Sequence, residues 1–285
     1  MSEIIIAIFI NPLAGNGKYH RTETGIRQYL KKEKIKFVVY DQYWPSQLDS
    51  FSHVFIVGGD GTINYFLNSF PDTKIPVSVF KAGTGNDFAW KLYGNLNFIE
   101  QLNTAVHGVP HAVDAGICNG RYFINGVGLG FDGAVVKNFI NCRKWLKGKF
   151  GYYWTVVRTL SGYQSKELSV VIDGDREQLT SRFFMITVAN GSRFGGNFMV
   201  APQSSLTDKQ LDLVMIKAVP VLKRYFYLPK MKKGRHLSLP FVRTMKINSI
   251  CIAAPKPLAA HLDGELMVAD KFDITILPGH FLFRY

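Results

Sequence analysis

At 285 residues, with 47% apolar and 14% aromatic residues, the chain can bury the core of one large or two medium domains. A formal net charge of +13 points to a polyanionic partner, either nucleic acid or an anionic membrane surface. The three scattered cysteines (Cys118, Cys142, Cys251) argue against a disulfide framework or a zinc site, and no apolar run nears the roughly 20 residues of a membrane-crossing helix, so a reduced, cytoplasmic protein is expected.

In chain order, Ile4–Ile10 reads as a first buried strand, too short and too poor in basic flanks for a signal peptide. A loop, Asn11-Pro12-Leu13-Ala14-Gly15-Asn16-Gly17-Lys18, follows it. A helical stretch over Thr22–Lys32 and a strand over Lys36–Tyr40 come next. Val54–Val57 is a second short apolar run, followed by Gly58-Gly59-Asp60-Gly61-Thr62-Ile63-Asn64 and a helix entered at Tyr65-Phe66-Leu67, with Thr62 or Asp60 placed to cap it. Val77–Phe80 leads in the same way into Gly83-Thr84-Gly85-Asn86-Asp87-Phe88. This alternation predicts an α/β domain with a parallel sheet. Beyond about residue 110 the pattern changes to short strand-like pieces: Ala112–Cys118, Tyr122–Val127, Leu168–Ile172, Phe183–Ala189, Leu211–Ile216, Phe241–Ile247, Ile250–Ala253 and Phe272–Leu277. Asn119-Gly120, Asp173-Gly174 and Asn190-Gly191 supply turns between them, and a β-sandwich-like second domain is expected. The division falls at 1–112 and 113–285.

Three glycine-rich turns, each after an apolar strand, would meet at one edge of a parallel sheet, where open α/β folds bind ligands. Glycines let the backbone approach a phosphate, and the N–H groups of a first helical turn point at the anion. Asp60 within such a cradle would repel a bare phosphate, so the turn implies a Mg2+–nucleotide site. Neither common phosphate signature is present: Lys18 is followed by Tyr19, and Gly83-x-Gly85 by Asn86-Asp87-Phe88. Any one such turn also reads as a plain structural glycine turn; three in ordered succession weigh against that.

These turns, with Asn125-Gly126-x-Gly128-x-Gly130-Phe131-Asp132, Asp208-Lys209-Gln210-Leu211-Asp212 and Asp263-Gly264-Glu265, resemble the diacylglycerol kinase catalytic-domain family, in particular its soluble bacterial lipid kinases. The likeness runs through nearly the whole chain; NAD kinases and phosphofructokinases share the Gly-Gly-Asp-Gly turn more distantly. The resemblance implies an active site in the cleft between the two domains. It implies ATP binding by Asn11, Pro12, Gly15, Lys18, Gly58, Gly59, Asp60, Gly61, Thr62, Asn64 and Thr84, with Asn86 and Asp87 lining the same cleft. Asp60 would reach Mg2+ through water. The general base would lie in Asp263-Gly264-Glu265, Asp263 being the first choice and Glu265 the second, because a lipid hydroxyl attacking phosphorus must lose its proton. Asp208 would ligate a structural Mg2+ with the carbonyls of Ser205 and Gln210.

The chain departs from the family pattern in three places: Lys81-Ala82 stands for a Pro-hydrophobic pair, Trp90 for a basic residue, and Lys209 for the glycine after the metal aspartate. Lys137, Arg143, Lys144, Lys147 and Lys149 mix with Phe139, Trp145 and Phe150, and Lys223–Lys233 repeats the mixture. Such mixtures suit an interfacial segment at an anionic membrane, or equally an ordinary amphipathic helix. No nucleic-acid reader motif accompanies the charge. The expectation is therefore an ATP- and Mg2+-dependent kinase of a lipid hydroxyl, diacylglycerol or a related lipid alcohol, peripheral at the membrane. A soluble-alcohol kinase such as NAD kinase, and a non-catalytic nucleotide- or lipid-binding sensor, are the alternatives, and a homodimer stays open.

Overall fold

The computed structural model describes residues 4–12, 14–17, 19–142, 148–196 and 198–285. The chain forms two compact units: residues up to Val113 together with Gly279–Tyr285, and Asp114–Pro278.

In the first unit the order is β1 (Ile5–Ile10), α1 (Tyr19–Lys32), β2 (Lys36–Tyr40), β3 (His53–Gly58), α2 (Asp60–Ser69), β4 (Val77–Lys81), α3 (Asp87–Tyr93) and α4 (Phe98–His107). The strands lie side by side as β2-β1-β3-β4, all parallel. Every residue of β3 and nearly all of β1 is buried, as befits a parallel sheet covered on both faces. One face packs Ile6, Ile8, Phe55 and Val57 against Ile26 and Leu30 of α1 and Leu102 of α4. On the other, Phe9 meets Phe66 of α2 edge to face at 5.3 Å. Asn97 caps α4 through a reciprocal pair with Glu100, satisfying N–H groups that the first turn cannot pair internally.

The second unit follows the shared strand β5 (Pro110–Cys118). It contains β6 (Arg121–Phe123), β7 (Gly126–Gly130), α5 (Phe131–Cys142), α6 (Gly148–Gly162), β8 (Lys166–Ile172), β9 (Glu177–Ala189), β10 (Leu211–Lys217), α7 (Val221–Lys232), β11 (Val242–Ile247), β12 (Ser249–Leu262) and β13 (Glu265–Arg284). Strands β7 to β13 of this unit pair antiparallel with one another. The long strands β9 and β12 pair on one edge with β10 and β13 respectively, and each shares its opposite edge between β8 along one stretch and β7 along the other. β12 turns between them where its register shifts from Ala253 to Leu258. The resulting sandwich-like core holds Leu168, Val170, Phe183, Ile186, Leu213 and Phe272, all essentially buried.

Two expectations need correction. The last seven residues belong to the first unit, not to the second as the division 113–285 had it. Phe283 pairs with Val77 of β4 and packs its ring on Phe88 at 5.1 Å, so β13 ends by burying itself in the parallel sheet's core. The stretch Tyr122–Val127 is two strands, not one, because the N–H groups of Ile124, Asn125 and Gly126 all turn to the carboxylate of Asp263. Among the described residues no helix is long and apolar enough to cross a membrane.

Candidate active site

Three loops at the carboxyl ends of β1, β3 and β4 are fastened to one another. Asn11 donates from its side-chain amide to the Thr62 hydroxyl at 3.0 Å, tying the first loop to the start of α2. Gly59 and Gly83 meet backbone to backbone. A Cβ on Gly83 would stand 2.5 Å from the Gly59 Cα, so no other residue fits there. Asn86, in the left-handed region at φ 56°, closes its own loop by accepting from the Gly83 N–H at 2.9 Å and donating to the Gly83 carbonyl at 2.8 Å.

Asp60 sits at the first position of α2, yet its carboxylate serves α3. Its two oxygens accept from the N–H groups of Asp87 (3.1 Å) and Phe88 (3.0 Å), which no side chain of α3's own cap satisfies. Asp60 is thus a helix cap as well as the carboxylate expected at the phosphates. Gly59 caps α2 without a side-chain hydrogen bond, so no N-cap side chain engages the N–H groups of the first turn. That arrangement fits a bound phosphate at the helix start and a Mg2+ ion near the Asp60 carboxylate. Asn64 is buried one turn further along and accepts from Asn68. Thr84 is exposed, Asp87 buried, and Pro12 and Gly15 flank the first loop. Lys18 lies outside the described residues. Lys81 sends its ammonium to the Gly94 carbonyl at the end of α3 (3.1 Å).

In the second unit, Asp263 and Gly264 form the two-residue turn between β12 and β13, with φ 47° and 90°. Asp263 is buried. Its Oδ1 accepts from Asn125 (2.9 Å) and Gly126 (2.8 Å) and its Oδ2 from Ile124 (2.9 Å). Glu265 opens β13 with an exposed side chain. Asn125 and Asn190 are buried beside this turn's partners, and each keeps an amide oxygen without a partner among the described residues.

The loop carrying Ser205, Asp208 and Gln210 is held by an ammonium. Lys246 of β11 donates to Asp208 at 2.7 Å and to Asp212 at 2.6 Å, and Asp208 accepts from the Gln210 N–H at 3.2 Å. Lys209 takes φ 62°, and its N–H donates to the buried Asp114 carboxylate at 2.7 Å. The one ammonium of Lys246 thus stands between two carboxylates, where a cation at Asp208 would have to displace it. Among the described residues no group of three or more His, Cys, Asp or Glu side chains forms a metal cluster.

Sequence reading missed Asp114, Asp132 and His261. Asp132 lies in the first turn of α5 with its Oδ2 4.0 Å from His261 Nε2 and accepts from the Thr187 hydroxyl at 3.3 Å. Burial pushes the Asp132 carboxyl up to about 6 and the His261 imidazole down to about 4, so the two are not an ion pair. Both line an apolar cavity of about 20 Å³ with Phe194 and Val200; a neighbour of about 40 Å³ lies under α7 against Phe184 and Phe241. The Asn125–Asp132 motif carries the signal for Asp132, its closing aspartate.

An α/β unit joined to an antiparallel sandwich-like unit is a fold found in diacylglycerol kinase and NAD kinase structures. A diacylglycerol kinase structure from Bacillus anthracis superposes with a TM-score of 0.73 at 19% identity, covering 100% of this chain and 98% of that one. An NAD kinase from Archaeoglobus fulgidus in complex with ATP gives 0.57 at 14% identity, covering 98% and 93%. Residues 6–118 match the diacylglycerol kinase catalytic domain, and residues 125–282 match the YegS C-terminal NAD kinase beta sandwich-like domain. The chain belongs to the diacylglycerol kinase catalytic-domain family. Among its relatives, the diacylglycerol kinase of Bacillus subtilis (strain 168) is 28% identical over 84% of this chain and 77% of its own length. That of Mycobacterium tuberculosis (strain ATCC 25618 / H37Rv) is 25% identical over 96% and 93%.

Proposed function

We propose that this protein transfers the γ-phosphate of ATP to the hydroxyl of a lipid alcohol, with diacylglycerol the first acceptor to test. The observation that carries the reading is the fastening of the three strand-end loops in a chain whose relatives are named diacylglycerol kinases. The ATP complex of the NAD kinase with a similar fold supports the choice of nucleotide. Phosphoryl transfer depends on positioning and charge neutralisation more than on covalent chemistry. Asn11, Gly58, Gly59, Gly61 and Thr62 would position the phosphates, and Asp60 would hold Mg2+, which supplies neutralisation of the charge on the transferred group. Asn86 and Asp87 fix the loop beside them.

For the base we favour Glu265 over Asp263, reversing the order read from sequence. Three backbone N–H bonds engage Asp263, whereas Glu265 is exposed and able to meet an incoming hydroxyl. The test is ATP-dependent phosphate transfer with Mg2+ to a panel of lipid alcohols in mixed micelles, with NAD as a soluble acceptor. Transfer to one lipid supports the reading and identifies the acceptor. Transfer to NAD alone would overturn it.

A further inference from the structure

Two helices of the second unit hold large apolar side chains in solvent. On α6, Phe150 and Trp154 are 76% and 52% exposed; on α7, Leu222 and Phe226 are 86% and 67% exposed. A single exposed apolar residue is ordinary, but a group on two touching helices marks an interaction surface. The helices are pinned together near these residues. The Tyr225 hydroxyl shares a hydrogen bond with the Ser161 hydroxyl and donates to the Val157 carbonyl at 3.3 Å. The Lys232 ammonium lies over the Tyr153 ring at 5.5 Å. Buried Arg224 donates to the carbonyls of Leu160 (2.9 Å) and Tyr163 (2.6 Å), fixing the start of α7 to the end of α6.

The charge around this face has one sign. The helices α6 and α7 together carry six Lys and Arg residues and no Asp or Glu. Lys223, Lys232 and Lys233 are exposed, and Lys230 lies over the rings of Phe226 and Tyr227 at 5.3 and 5.6 Å. Apolar side chains at the centre with lysines around them let the former enter the acyl boundary while the ammonium groups stay among headgroups. A second copy would bring the same positive face against this one, and like charges oppose that pairing. Nucleic acid would engage the lysines but gives Leu222 and Phe150 nothing to bury against.

The geometry points to the α6–α7 face as the docking surface for an anionic lipid bilayer. It rests on the lipid-kinase reading for its purpose, not for its evidence. The test sediments the full chain, without ATP, with vesicles of phosphatidylcholine and with vesicles that also contain phosphatidylglycerol. The protein is expected to follow only the second kind and to be released by salt. Leu222→Ser with Phe226→Ser, and separately Lys223→Glu with Lys233→Glu, are expected to weaken binding by roughly tenfold or more. These four side chains are exposed, so the variants are expected to fold, which circular dichroism checks. Vesicle binding as strong as wild type in both double variants would overturn the proposal. So would a solution dimer that the same substitutions dissociate while vesicle binding persists. Because no phosphate transfer is read, failure of the kinase reading leaves the vesicle result standing, and the reverse holds too.

Discussion

The three N–H bonds that Asp263 accepts replace water lost on burial, and they hold the chain at Ile124–Gly126 in its break between β6 and β7. An asparagine has one acceptor oxygen, and its amide would point N–H groups at a backbone N–H. Asp263→Asn is therefore expected to cost about 1–3 kcal/mol of stability, whatever it does to turnover. Glu265→Gln removes an exposed carboxylate that makes no side-chain hydrogen bond or ion pair among the described residues. It is expected to lower kcat by about 10²–10⁴-fold with the melting temperature unchanged. Paired melting curves and initial rates separate the two roles. A fully active Glu265→Gln beside a folded but inactive Asp263→Asn would return the base assignment to Asp263. Asp60 carries the same double burden, since Asp60→Ala uncaps α3 and is expected to lose about 1 kcal/mol along with activity.

At the scale of elements, the loop from Ser205 to Asp212 is fixed by the ammonium of β11's Lys246. Burial works against that charge, but the carboxylates of Asp208 and Asp212 outweigh it and hold the Lys246 pKa above its ordinary value. The side chain is one-third exposed (33%), so solvent screening limits the pair to about 1 kcal/mol. Mg2+ is expected to leave the melting temperature of the wild type unchanged, because the Lys246 ammonium already occupies the space between the two carboxylates. In Lys246→Met both carboxylates lose that ammonium; stability is expected to fall, and added Mg2+ to restore it. A thermal-shift titration with Mg2+ and with a chelator checks both, and a wild type that melts earlier in chelator would revive the Asp208 metal site. This element also marks where sequence reading stops. The parallel sheet was legible because Ile4–Ile10, Val54–Val57 and Val77–Phe80 are continuous apolar runs with glycine turns after them. Lys246 was not, because nothing in a strand read as Phe241–Ile247 says which side chain faces a loop far back along the chain. The return of Phe283 to β4 was hidden for the same reason: the alternation that identifies a strand does not name its neighbour.

For the molecule as a whole, Asp132 and His261 set opposing dependences of stability on pH. Burial raises the folded Asp132 carboxyl from its unfolded value of roughly 3.9 to about 6, so its contribution is present at low pH and is lost as pH rises toward about 6. Burial lowers the folded His261 imidazole from roughly 6.5 to about 4, so its contribution is present at high pH and is lost as pH falls toward about 4. Between about pH 4 and 6 the native state gains a proton on Asp132 while the unfolded state gains one on His261, and the two slopes largely cancel. Asp132→Asn leaves only the histidine slope. It is expected to be more stable than the wild type above about pH 6, by at most about 3 kcal/mol, and to lose that advantage steadily on acidification. The bound is an upper one because 17% of the Asp132 side chain still meets solvent. Urea unfolding of both proteins at matched pH values from about 4.5 to 8 reads the difference directly, free of every group that the two share. A difference that stays flat across that range would mean that Asp132 titrates alike in the folded and unfolded chain, and that the cavity beside it is wetter than its apolar walls suggest.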